Sequence, residues 1–224
     1  MGVARRLALA LLVVALIAVL WYGTTWLVAK YERFTIEQTR PVVSQVDGMS
    51  YRVHEGHASP QAAADTLATI NTRVVDLMRF LRARYVRGPA GVRHPARKAA
   101  VERLLARYNP DNLAENSPND PTKDTAYTLD KGSLVAICIR SRAPGSHTIH
   151  DIGTLTFVTL HEMAHIAVDV VDHPPQFWRT FRFLLEEAED AQVYSSPQYA
   201  AQPATYCGVT IDYNPRFDPA TQPI

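Results

Sequence analysis

The chain has 224 residues, 47% of them apolar, with 23 Lys and Arg against 22 Asp and Glu and a net charge of +1. That length suits one compact domain plus appendages, and that apolar share belongs to a folded chain, which excludes a disordered one. The near-neutral balance lacks the basic excess with which proteins grip nucleic acid, so no nucleic-acid partner is expected.

Residues 7–28 read LALALLVVALIAVLWYGTTWLV, 22 residues without a charge. As a helix they extend about 33 Å, enough to cross a bilayer core. Trp21, Tyr22 and Trp26 gather at the end of the stretch, where aromatic rings favour the interface. Arg5 and Arg6 precede it; Lys30 and Arg33 follow it with Glu32 between them. This bias, with the N-terminal amine, favours a single-pass anchor with its N-terminus in the cytosol and the domain on the opposite side. A cleaved signal peptide, and so a secreted domain, is the alternative. The apolar run is too long for one, and no small-x-small cleavage site follows it. Residues 1–29 are read as the transmembrane anchor and residues 30–45 as a polar juxtamembrane stalk or frayed helix.

The main domain is expected over residues 46–214. Asp47-Gly48 is a turn, and residues 49–54 alternate as a short strand. Ser59-Pro60 opens a helix, with a hydroxyl at the N-cap and proline at the first helical position. Leu67, Ile70, Val74, Leu77, Leu81 and Tyr85 recur every three or four residues along it, one apolar stripe that ends near Gly88-Pro89. A shorter helix spans residues 95–108, with Val101, Leu104 and Leu105 on one side. The arginines that cluster with Lys98 between residues 73 and 107 read as solvated helix faces.

Residues 109–123, with three prolines and several Asn and Asp, form a loop. Residues 126–129 and 133–140 are two strands around the hairpin signal Asp130-Lys131-Gly132. The second is apolar on both faces and should be buried. Cys138 lies on it, and the other cysteine is Cys207. Two cysteines cannot build a zinc ribbon. They can pair in an oxidising compartment, but nothing in the sequence brings the sulfurs together, so two buried unpaired thiols are expected. After a loop at 142–149, Asp151 caps the next helix. Pro174-Pro175 opens a last helix to about residue 190, and residues 205–211 are a further strand. Residues 215–224 are a proline-rich tail.

The helix capped by Asp151 leads into LHEMAHIAVDVVDHPPQFW, residues 160–178. At about 100° per residue, His161 and His165 share one face one turn apart. Such a pair can hold one metal ion, and zinc suits nitrogen ligands in a tetrahedron with one position open to water. Glu162 lies beside that face, where it reaches the water without being a ligand and serves as general base and later as proton donor to the leaving amine. Apolar residues surround this helix almost completely. Two imidazoles and a carboxylate there cost several kcal/mol without partners, and a dication supplies the partner. His173 is favoured as third ligand on its chemistry, with Glu186, Glu187 and Glu189 competing. Tyr194, Tyr199, Tyr206 or Tyr213 could reach back to an oxyanion, though each is more simply a packing residue. Asp169, then Asp172, could hold a ligand imidazole. His54, His57, His94, His147 and His150 have no comparable spacing and read as surface or loop residues.

His161-Glu162-Met163-Ala164-His165, followed by His173-Pro174-Pro175-Gln176-Phe177-Trp178, resembles the SprT-like and WLM zinc metallopeptidases. In these short zincins a histidine and a Phe-Trp-like pair open the helix after the motif. The resemblance covers residues 134–185 and is strongest to the small metallopeptidase-like proteins of large DNA viruses and their cellular relatives. It implies an α+β, zincin-like metallopeptidase domain of helices plus a small sheet. It also implies one zinc per chain on His161, His165 and His173, Glu162 as catalytic acid/base, and a protein or peptide substrate. The DNA-repair members often carry a zinc ribbon or partner-binding tails; this chain has a membrane segment instead, which does not support a role on DNA–protein crosslinks. The alternative is a catalytically inactive, zinc-binding interaction protein tethered to the membrane.

Overall fold

The structure is a computed structural model, and it describes residues 2–116, 124–143, 145–146 and 148–224. Two compact units emerge, Met1–Glu37 and Gln38–Ile224.

The first unit is one helix, α1 (Val3–Glu37). Its segment Leu9–Trp26 is long and apolar enough to cross a membrane or to serve as a signal sequence. The hydroxyls of Thr24 and Thr25 donate to the carbonyl of Trp21 at 2.9 and 3.0 Å, so these polar groups are satisfied within the helix. The helix continues through the first half of the expected stalk, where neither Gly nor Pro interrupts it. The second half is neither stalk nor helix. Thr39–Val43 forms β1, which pairs antiparallel with β2 (Ser50–His54). Pro41 is tolerated because β1 is an edge strand.

In the second unit α helices and a five-stranded sheet are mixed. The sheet also contains β3 (Leu113–Glu115), β4 (Ala126–Leu129) and β5 (Leu134–Ile137), in the order β1-β2-β3-β5-β4. The three inner strands run parallel, and β1 and β4 are antiparallel edges. β3 overturns the expectation of an unbroken loop at 109–123; residues 117–123 of that stretch lie outside the described residues. Three residues are too few to show strand alternation, and a charge at the third, Glu115, reads as loop. In the fold Glu115 is buried, 3.1 Å from Arg140 Nε, and accepts the His54 N–H at 2.7 Å.

Helix α2 (Pro60–Leu81) carries the expected stripe, and Leu67, Ile70, Val74, Leu77 and Leu81 are all buried. It runs on as a π-helical segment, Arg82–Arg87, that buries Tyr85. Ser59 precedes the helix in a left-handed conformation and makes no side-chain cap; Pro60 alone marks the start. The short α3 (Ala90–Arg93) leads to α4 (Pro95–Arg107). Helices α5 (Ile152–Ala167) and α6 (Pro175–Asp190) pack on each other, and α5 also contacts α2, α4 and β4. The strand expected at 205–211 is a hairpin, β6 (Ala204–Tyr206) and β7 (Val209–Ile211), because Cys207 and Gly208 both take positive φ and reverse the chain.

Cys138 and Cys207 form a disulfide across 69 residues, contrary to the expectation of free thiols. The fold brings the end of β5 against the tip of the β6–β7 hairpin, a proximity no local pattern encodes. The terminal segment folds back on α6, where Arg182 donates to the carbonyls of Asp218 and Thr221 at 2.6 and 2.5 Å.

Candidate metal centre

Helix α5 is nucleated as its sequence indicates, with the Asp151 carboxylate accepting the Thr154 N–H at 2.8 Å. Thr156 and Thr159 return their hydroxyls to carbonyls one turn back at 2.6 and 2.8 Å, which lets a polar-bearing helix run through the core. His161 and His165 then share one face. The chain leaves the helix after Ala167, turns at Asp172 with φ of 59°, and delivers His173 just ahead of α6.

The three imidazoles meet at their Nε2 atoms. His173 Nε2 lies 3.0 Å from that of His161 and 3.2 Å from that of His165, and the three residues form a group able to hold a metal ion. Zinc–nitrogen bonds of 2.0–2.1 Å in a tetrahedron require nitrogens about 3.3–3.4 Å apart. The donor set therefore suits a metal ion, and the two separations of His173 lie within about 0.4 Å of that value. The glutamates that competed for the third position are engaged elsewhere. Glu187 accepts the Tyr85 hydroxyl at 2.7 Å, Glu186 pairs with Arg182 at 3.0 Å and Glu189 with Arg216 at 2.9 Å.

Aromatic rings wrap the imidazoles. Phe177 lies 4.3 Å from His165, centroid to centroid, with Trp178 5.5 Å from His173 and Phe181 5.3 Å from His161. Burial, then the neighbouring imidazoles, pushes His161 down to about 3; burial, with the charges of His173 and Lys131, pushes His165 down to about 4. His173 is lowered by burial too. The neutral ring is the form that ligates a metal.

Glu162 is 4% exposed and accepts the Thr128 hydroxyl at 3.1 Å. Burial, reinforced by the charge of Asp124, pushes its carboxyl up to about 8. It shares with the three histidines a cleft of about 570 Å³, whose opposite wall is the β4–β5 hairpin with Tyr127, Thr128 and Lys131. That size suits a small-molecule or peptide site. The hairpin residues gave no signal of their own in the sequence beyond lying on the strand pair before the motif helix.

Of the other candidates among the described residues, only Asp172 reaches the cleft. Asp169 supports no imidazole; it is exposed and pairs with Arg107 at 2.5 Å and Arg103 at 3.8 Å. Asp172 lines the cleft, at the turn before His173. None of the four tyrosines does. Tyr199 packs its ring on Phe157, Tyr194 is buried, Tyr206 donates to the Thr125 carbonyl and Tyr213 to Asp218. His54 is buried in β2 and so is neither a surface nor a loop residue, while His150 is a loop residue as expected, half-buried, packed on Tyr206 and accepting the Cys207 N–H at 3.2 Å. His57 is half-buried with its ring edge on His54, and His94 is exposed as expected. His147 lies outside the described residues.

No protein-family model and no solved structure matches the chain. Two viral proteins are similar to it. Uncharacterized protein R325 of Acanthamoeba polyphaga mimivirus is 36% identical over 171 residues, 76% of this chain and 81% of the viral protein. Uncharacterized protein 136R of Invertebrate iridescent virus 6 is 31% identical over 101 residues, 45% of this chain and 55% of the viral one, so the match spans about half of that protein. By the extent of the first match, the chain belongs to the family of mimivirus protein R325.

Proposed function

We propose that this protein is a membrane-anchored zinc peptidase with a zincin-like domain of the SprT-like/WLM kind. The observation that carries the reading is that the His173 Nε2 lies 3.0 and 3.2 Å from those of His161 and His165, beside a buried carboxylate in an open cleft. Zinc, when bound, supplies Lewis acidity toward a peptide carbonyl and makes a water more acidic at neutral pH.

The residues of the chain do the rest. His161, His165 and His173 hold the ion, and their aromatic surround keeps the rings neutral and still. Glu162 takes a proton from the attacking water and passes it to the amine as the C–N bond breaks, leaving an acid and an amine. The Thr128 hydroxyl holds one carboxylate oxygen and so orients the other. Strand β4 borders the cleft and is one edge of the sheet. An edge strand beside a cleft suits an extended peptide added as a further strand.

The disulfide and the basic N-terminus support an anchored topology with the domain on the oxidising, non-cytosolic side. The full chain in detergent should retain about one zinc per molecule and cleave a casein-type substrate. Glu162→Gln should keep the zinc and lose cleavage. Cleavage by that variant at the wild-type rate would falsify the mechanism, and zinc without any turnover in the wild type would favour the tethered binding protein.

A further inference from the structure

A helix ends with four carbonyls that lack an intrahelical partner. For α5 these belong to His165, Ile166, Ala167 and Val168, the stretch that leads from the second ligand toward the third. Basic side chains take every one of them. Lys131 Nζ donates to His165 at 3.1 Å, Arg107 to Ile166 at 3.0 Å and Val168 at 3.3 Å, and Arg103 to Ala167 at 2.7 Å. Lys131 reaches one step further, to the carbonyl of Val170 at 2.7 Å, and Arg107 also holds Asp169.

These cations come from two elements, α4 and the β4–β5 hairpin. The hairpin brings Lys131 to the helix end by a left-handed run, with φ of 42° at Asp130, 57° at Lys131 and 122° at Gly132. A Cβ at Gly132 would lie 2.7 Å from the Arg107 carbonyl, so the turn is pressed on the end of α4. Arg103 and Arg107 are thus not the solvated face that the arginine cluster suggests.

We propose that Lys131, Arg103 and Arg107 are positioning residues for the metal centre: by holding the carbonyls between His165 and His173 they fix the turn that presents the third ligand. The proposal rests on the metal centre, not on peptide cleavage. It also makes a prediction of sign. Lys131 lines the cleft, and its positive charge repels an incoming dication. If the lysine acted only through its field, its removal would tighten metal binding. If it holds the turn, its removal weakens binding.

The test uses the full chain in detergent, stripped of metal and titrated with Co²⁺ by absorbance, then with Zn²⁺ against a chromophoric chelator. Lys131→Met and Arg107→Met should each weaken binding by about tenfold. Lys131→Arg, which keeps two donors in reach, should restore most of it. In a His173→Ala background, Lys131→Met should add no further loss, because the ligand it positions is gone. Far-UV circular dichroism of the stripped variants reports their folding. Should Lys131→Met fail to fold, Arg107→Lys serves: it keeps the charge, cannot span the same carbonyls, and should weaken binding too. Unchanged or tighter binding in these variants, or an equal loss in the His173→Ala background, overturns the proposal. No binding by the wild type overturns the metal centre itself.

Discussion

Glu162 has its sharpest consequence in the metal-free protein. Its carboxyl is displaced from the usual 4.5 up to about 8 in the folded chain, chiefly by burial. The folded state therefore holds a proton that the unfolded state has released between these two values. Stability contributed at this position is intact below pH 4.5 and is lost as pH rises toward 8. The loss amounts to about 2–3 kcal/mol at pH 6.5 and about 4 kcal/mol at pH 8, at ~1.4 kcal/mol per pH unit. Glu162→Gln removes the ionisation and keeps an oxygen for the Thr128 hydroxyl. Thermal unfolding of wild type and variant, followed by circular dichroism in chelator from pH 4.5 to 8.5, should start together and diverge. The variant should lead by roughly 10 °C at pH 8, at about 2–4 °C per kcal/mol for a unit of this size. Adding zinc should shrink the gap, because a nearby dication favours the carboxylate. Parallel curves across the range would show that burial does not govern this carboxyl.

The histidines predict the opposite limb. Their folded values, about 3 for His161 and about 4 for His165, lie below the ordinary 6.5, so stability from them is present above pH 6.5 and lost as pH falls through 4. In chelator, His161→Asn should therefore flatten the acid side of the wild-type melting profile; an unchanged acid limb would refute this. Phe177→Ala removes a fully buried ring that touches all three imidazoles. It should cost about 3–5 kcal/mol in chemical denaturation, and a cost under 1 kcal/mol would mean the ring is not packed there. Cys138→Ser with Cys207→Ser opens a crosslink spanning 69 residues and should destabilise the fold by about 2–5 kcal/mol. Equal melting of the two proteins under oxidising and reducing conditions would count against the crosslink.

Much of this protein is written in short-range pattern. The apolar run of α1, the stripe of α2 and the His161–His165 spacing depend on helical periodicity, which residues three and four apart specify by themselves. Proline and Asp151 mark the starts of α2, α4, α5 and α6 because capping is a local event. The pairing of His161 with His165, and the place of Glu162 beside them, were thus legible from the chain alone.

What the tertiary structure decided are the relations between distant residues. Glu115 looks like a loop residue until Arg140 is beside it, and Cys138 has no partner until the β6–β7 hairpin reaches it. Glu187 and Glu189 remain plausible ligands until Tyr85 and Arg216 are seen to hold them, whereas Glu186 is held by Arg182 on its own helix. The arginines of α4 look solvated until the end of α5 lies across them. Apart from the disulfide, which is a covalent bond, and Glu186, the deciding quantity is a through-space distance of about 3 Å, set by packing between elements far apart in the chain. The sequence by itself determined which groups this protein can bring to a metal; only the fold decided which of them meet.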